Sequence, residues 1–230
     1  MVAPSPGSRW GIGLSHQGTV PTIVLDMTII WGDQIGLRPF EDPISDDEAA
    51  CLYHWCRDED LLRWSGGTPT DLALPEFCER LDRDRQDAFD HRMVFFILTR
   101  ARTLIGRIGV FAIDWTRRDG ELGIVIGETT EWDKGYGRAA ITLLLQHLFE
   151  MTRLERVYLF TYPENVRAQR CFAACGFRPC ATARRFSIER GEYDGIEMEI
   201  TRGEFLERWN PRARTFPSIA QKCPNESSLR

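Results

Sequence analysis

Two periodicities run along this chain, and they divide it cleanly into strands and helices. Residues 23–31 form a β-branched, apolar run, and the Gly32-Asp33 turn leads into a second short strand over 35–38, limited by Pro39. Ser45-Asp46-Asp47-Glu48 has the composition of a helix start, and Ala49, Leu52, Tyr53 and Cys56 follow at spacings of three and four. After a loop containing Gly66, Gly67 and Pro69, a second amphipathic helix opens near Leu74-Pro75 and carries Phe77, Cys78, Leu81 and Phe89 on one side. A continuous apolar run over 93–98 is a buried type of strand. Residues 103–113 and 121–127 are two more strands, joined by a reversing tip at 114–120. A long helix is expected over 137–152, with Ala140, Leu143, Leu144, His147, Leu148 and Met151 on its apolar side. A strand at 156–162, a short helix at 165–175 stopped by Gly176, and two strands flanking a turn at 190–192 complete the pattern. The order β-β-α-α-β-β-β-α-β-α-β-β predicts a mixed α/β (α+β) layered fold.

The ends read differently. Residues 1–20 are rich in Gly, Ser and Pro and read as a disordered leader, or as a start codon placed too early. Residues 21–209 read as one folded domain, and 210–230, with Pro211, Pro217 and Pro224, as a flexible tail. A chain of 230 residues with 43% hydrophobic residues has enough material for one substantial core. The net charge of −5 weighs against general nucleic-acid binding and suits a cationic substrate such as an amine. There are seven cysteines and no Cys-x-x-Cys pair. Cys171, Cys175 and Cys180 lack a fourth ligand nearby, so no metal is expected and reduced thiols in a cytoplasmic protein are. No apolar run has the length of a membrane span, and the N-terminus is not built as a signal peptide.

One stretch carries chemistry. Lys134-Gly135-Tyr136-Gly137-Arg138-Ala139 opens the long helix eight residues after a strand ends. A helix start offers unpaired N–H groups and the positive end of the macrodipole. Glycines remove the Cβ atoms that would hold a phosphate away, and Lys134 and Arg138 add positive charge. This loop resembles the Arg/Gln-x-x-Gly-x-Gly/Ala pyrophosphate loop of the GNAT acetyltransferase superfamily, with Lys at the first position keeping the charge. Residues 121–127 resemble that family's fourth strand. Asn165-Val166-Arg167-Ala168-Gln169-Arg170-Cys171-Phe172 with Gly176-Phe177 resembles its late helix, and Gly191-Glu192-Tyr193-Asp194 the branch of ribosomal-protein and related amine acetyltransferases. The resemblance spans about Gln34 to Trp209. A lone Gly-x-Gly is a weak signal, whereas three motifs in order are strong. The loop lacks the Gly-Lys-Ser/Thr ending of a P-loop.

The resemblance implies a mostly antiparallel sheet of about seven strands, splayed between the fourth and fifth, with about four helices. It implies acetyl-CoA as co-substrate and an amine acceptor, either a protein N-terminus or a small molecule. Val125, Ile126 and Gly127 take the positions that pair with pantetheine, and the Val125 amide is the candidate for polarising the thioester carbonyl. Asn165 and Arg170 take cofactor-contact positions, although Asn165 serves equally as a helix cap. Glu121 takes the position of a general base, with Asp114 as an alternative; it reads equally as a surface residue paired with an Arg. Phe172 stands where many members have the Tyr that protonates the departing thiolate. That leaves Tyr162, Cys171 or water for the task, or else a CoA-binding regulatory module with little catalysis. Trp64 and Trp115 are either cleft walls or core, and Asp58, Glu59 and Asp60 either attract a cationic amine or form a solvated face. Monomer and homodimer both stay open.

Overall fold

The computed structural model describes residues 29–67, 69–86, 91–187 and 190–209. The leader, the tail, Phe89 and most of the first expected strand lie outside the described residues. The strands are β1 (Ile30–Trp31), β2 (Ile35–Pro39), β3 (Met93–Thr99), β4 (Leu104–Asp114), β5 (Asp119–Ile126), β6 (Arg156–Thr161), β7 (Arg178–Ser187) and β8 (Gly191–Thr201). The helices are α1 (Asp46–Trp55), α2 (Glu59–Ser65), α3 (Leu74–Gln86), α4 (Tyr136–Met151), α5 (Val166–Cys175) and α6 (Arg202–Trp209). All eight strands join one sheet in the order β1-β2-β3-β4-β5-β6-β8-β7. Every pairing is antiparallel except β5 with β6. The eight strands equal the number in the order read from the sequence and are one more than the roughly seven implied by the resemblance, and two helices join the four.

Both additional helices carry local signals. Asp58 accepts from the Leu61 amide at 3.1 Å to start α2, and Gly66 ends it in the left-handed region at φ 66°. At α6 the Thr201 hydroxyl accepts from the Glu204 amide while Glu204 accepts from the Thr201 amide, a reciprocal capping box. Both helices are under three turns long, too short to build a convincing 3.6-residue period. Arg202 then ties α6 to the end of α4 by donating to the carbonyls of Phe149, Thr152 and Leu154.

Helices cover both faces of the sheet, which explains why β3 lacks polar alternation. Met93, Phe95 and Ile97 pack with α4, α5 and α6 in one core, while Val94, Phe96 and Leu98 pack with α1, α2 and α3 in the other. Helix α4 is the centre of the first core. Ala140, Leu144 and Leu148 are buried as expected, and Ile141, Leu145 and Phe149 widen the stripe. Met151, assigned to that stripe by spacing, is instead 66% exposed, because α4 ends there and the chain turns away.

Gly127 ends β5 directly beneath Trp55. A Cβ at that position would lie 2.1–2.4 Å from the Trp55 ring atoms. Gly127→Ala is therefore expected to cost about 1–3 kcal/mol of stability through overpacking, measured as a lower urea midpoint with an unchanged slope.

Candidate active site

Strands β5 and β6 run parallel and pair through only Asp119–Arg156, Gly120–Val157 and Glu121–Tyr158. Beyond Glu121 they part, while β5 stays paired with β4 as far as Ile126. The backbone of β5 facing away from β4 is thus left without a strand partner along its second half. Such an edge is a ready template for an added extended segment.

The ladder register decides which groups face that opening. Gly127 donates to the Ile105 carbonyl at 2.9 Å, and the register is regular back through Ile126–Gly106 and Val125–Arg107. Bonded and non-bonded pairs alternate in an antiparallel ladder. Val125 therefore turns its amide towards Arg107, and the amides and carbonyls of Ile124 and Ile126 face the opening. The carbonyl of Ile126 already accepts from the Trp132 indole at 2.8 Å. The Val125 amide is thus turned towards β4 and not the opening, and its half-buried side chain packs against the core beside α1 to α3. Strand spacing alone could not reveal this, because it does not say which edge is paired.

Helix α4 starts beside the opening. Its N-cap is Gly135, in the left-handed region at φ 85°, and no side chain caps it. The first intrahelical bond of this turn is from Ala139 to the Gly135 carbonyl at 3.0 Å. The preceding amides, of Tyr136, Gly137 and Arg138, have no intrahelical acceptor. By contrast, Ser45, Asp58 and Asn165 cap α1, α2 and α5. A Cβ built on Gly137 would find ordinary contact, with Cys171 Sγ at 3.7 Å. The protein's own packing thus tolerates a side chain there, although glycine costs a helix about 0.5–1 kcal/mol relative to alanine. Arg138 is exposed and Tyr136 half-buried; Lys134 is exposed and pairs with Glu131 at 3.0 Å. The pyrophosphate-type loop is thus a cradle of free amides with one neutralised and one uncommitted cation.

Glu121 sits at the apex where the strands part. It is half-buried and accepts from Arg185 at 3.0 Å, so it does pair with an arginine. Burial pushes its carboxyl above the usual carboxylate range. Arg185 opposes that shift and Glu197 adds to it. The alternative base, Asp114, lies at the far end of the β4–β5 hairpin. It accepts from the Thr116 and Arg117 amides at 2.8 and 2.9 Å, and those bonds pull its pKa down. It is a turn-forming residue. Arg185 also contacts Tyr193, whose ring lies 4.5 Å from that of Tyr162 and whose hydroxyl is in hydrogen-bond contact with it. Burial, and then Tyr162, push the Tyr193 pKa up to about 12.

The late helix is mixed in role. Asn165 accepts from the Ala168 amide at 3.1 Å and so is a helix cap. Arg170 is exposed. Phe172 is buried in the core against Phe177. Cys171 lies beside Gly137, at the start of α4. Its thiol is pulled below its usual pKa by a hydrogen bond with Cys175. Among the described residues no cluster of His, Cys, Asp or Glu could hold a metal, and no helix is long and apolar enough to cross a membrane.

A cleft of about 220 Å³ opens between Trp64, Trp132, Glu164, Asn165, Val166 and Arg167. Of the two tryptophans that the sequence left open between cleft wall and core, Trp64 lines this cleft and Trp115 packs on the core. Of the acidic run, Asp58 is committed to capping. Arg167, Arg185, Arg190 and Trp132 come from separate segments, and no local pattern linked them.

Residues 34–178 match the model of the acetyltransferase (GNAT) domain. A spermidine N(1)-acetyltransferase of Vibrio cholerae is 26% identical over 137 residues, 59% of this chain and 78% of that protein. An N-acetyltransferase 9-like protein of Caenorhabditis briggsae is 25% identical over 166 residues, 67% and 82% of the two chains. Among solved structures, the spermidine N-acetyltransferase from Vibrio cholerae in complex with CoA and spermine superposes with a TM-score of 0.64. It covers 76% of this chain and 99% of that one at 20% identity, a likeness of fold.

The electrostatics of the apex give a direct test. Arg185 lowers the Glu121 pKa, so Arg185→Gln is expected to raise it further. NMR titration of the Glu121 carboxyl carbon reads this shift, and an unchanged value in the variant would show that the pair is not electrostatically coupled.

Proposed function

Since the chain belongs to the GNAT family of acetyltransferases, we propose that it moves an acetyl group from acetyl-CoA to a primary amine by direct attack on the thioester. The observation that carries this reading is the parting of β5 from β6 beside the uncapped, glycine-opened start of α4. An extended arm fits the first feature and a pyrophosphate fits the second.

The roles divide as follows. The free amides of residues 136–138, with Lys134 and Arg138 beside them, hold the pyrophosphate, while Ala139 lets α4 start close to it. Gly135 supplies the backbone conformation this requires. The opening-facing groups of Ile124 and Ile126 pair with the pantetheine arm, Gly127 ends that edge, and an Ile124 or Ile126 amide polarises the carbonyl. Asn165 sets the start of α5, and Arg170 adds a cation on that helix.

An alkylammonium ion, with a pKa of about 10.4, is almost wholly protonated at neutral pH and cannot attack. Glu121 accepts the amine proton, directly or through water, and its raised pKa brings it closer to that task. Arg185 positions it. The new N–C bond forms as the C–S bond breaks, and the nitrogen's second proton passes through water to the departing thiolate. A thiol of pKa about 8.5 is a good enough leaving group to need little help. The second reading, a CoA-binding regulatory module, rests on Phe172, whose buried ring has no proton to give. Turnover of acetyl-CoA with an amine separates the two.

Calorimetric titration tests the cradle. Micromolar or tighter acetyl-CoA binding is expected for the wild type, and about a 100-fold loss for Gly137→Glu, which sets a carboxylate where the phosphate would lie. No binding by folded wild type sinks the acetyl-CoA reading.

Glu121→Gln is expected to reduce kcat by about 10²-fold or more and to abolish the acid limb of the kcat/KM profile. In the wild type, activity falls as pH drops through the raised Glu121 pKa, because only the carboxylate accepts a proton. An acid limb that survives in the variant assigns the base elsewhere.

A further inference from the structure

The cleft beside the candidate active site carries the wrong charge for a polycation. Its opposing walls hold tryptophans with guanidinium groups already on their faces. Arg167 lies 3.8 Å over the Trp132 ring, and Arg63 lies 5.5 Å over Trp64. Arg190 sits 4.2 Å over Tyr162 and 5.5 Å from Trp64, and donates to the Arg63 carbonyl at 3.2 Å.

The carboxylates around this space are largely spoken for. Glu164 pairs with Arg190 at 3.6 Å and Glu121 with Arg185 at 3.0 Å. On the β5–α4 loop, Glu131 pairs with Lys134, and Glu128 accepts from the Thr130 hydroxyl at 3.0 Å. Asp58 caps the opposite end of α2 from Trp64. Among the described residues, no ion pair with a carboxylate involves Arg63 or Arg167. Of the two charged residues that line the cleft, Glu164 is thus paired with Arg190, while Arg167 is left to meet a ligand's charge. An acceptor with several ammonium groups would meet occupied aromatic faces and like charge; one with a carboxylate would meet the reverse.

A guanidinium stacked on an indole also has its orientation set. Its N–H groups point along the ring plane, pre-organised to grip a carboxylate through two parallel bonds. A volume of about 220 Å³ suits a small metabolite better than a folded partner.

We propose that the acceptor is a small primary amine that also carries a carboxylate, of α-amino-acid type, and that Arg167 holds that carboxylate with the amine turned towards the opening between β5 and β6, where Trp132 donates to the Ile126 carbonyl. This rests on the acetyltransferase reading and narrows its acceptor. It also separates this chain from the spermidine acetyltransferases it is similar to.

The test compares turnover of the twenty common α-amino acids, their α-amides, and spermidine by wild-type enzyme, with acetyl-CoA binding measured alongside. At least one amino acid is expected to exceed both its own amide and spermidine by tenfold or more in kcat/KM. Arg167→Ala is expected to raise KM for that amino acid about 10- to 100-fold and to erase the preference over the amide, with kcat and acetyl-CoA affinity changed less than about threefold. Arg167→Lys, which keeps the charge and loses the fork, is expected to fall between the two. If spermidine or the amides match the amino acids, or if nothing in the panel is acetylated although acetyl-CoA binds, the inference fails and the cofactor reading stands. If Arg167→Ala weakens acetyl-CoA binding instead of the acceptor KM, Arg167 belongs to the cofactor site and the inference also fails. If acetyl-CoA does not bind, both readings fall together.

Discussion

The interruption of one hydrogen-bond ladder organises this molecule. β5 and β6 are the one parallel pair of the sheet and hold each other for three residue pairs before separating. An unpaired strand edge inside a sheet would normally be a defect, since its amides and carbonyls lose partners. Here it is enclosed by the loop that carries Trp132, by the start of α4 and by the turn into α5. The Ile126 carbonyl is satisfied by an indole in place of a neighbouring strand. The break thus leaves backbone amides and carbonyls along β5 free to pair with an added extended segment.

Capping follows the same logic. α1, α2 and α5 satisfy their first amides with their own side chains. α4 is the longest of the described helices, with one face buried along its length, and it starts on a glycine that caps nothing. Its stability comes from packing along the apolar stripe, so its N-terminus is free to be spent on a ligand. Gly135 and Gly137 differ within that loop. The first is required by a positive φ; the second meets no steric demand from the chain.

Electrostatics at the apex balance two opposed effects. Burial favours the neutral form of Glu121 and Arg185 favours the charged form; burial prevails. Arg185 is held in turn over the Phe160 ring, 3.9 Å from its centroid, and beside Tyr193. The carboxylate therefore has a fixed position and a raised proton affinity together. The same arginine-on-aromatic device recurs along the neighbouring cleft, where it fixes cations on walls otherwise apolar.

Local physics made much of this legible in the sequence. The apolar period located the long helices, glycine and turn chemistry marked their ends, and the glycines before α4 pointed to an anion cradle, because each of these signals is written within a few neighbouring residues. The chemical type of Glu121 and its place on a strand were equally readable. Tertiary structure decided the rest. Which edge of β5 lies open depends on a register set by β4, and this turns the Val125 amide away from the opening and the Ile124 and Ile126 amides towards it. Whether Trp64 or Trp115 lines a cleft depends on what packs against each. That Arg185 faces Glu121 across 64 positions, and that Arg167 stacks on Trp132, are outcomes of sheet order and chain return. Such contacts join segments whose separation in sequence carries no periodicity, so no local pattern encodes them.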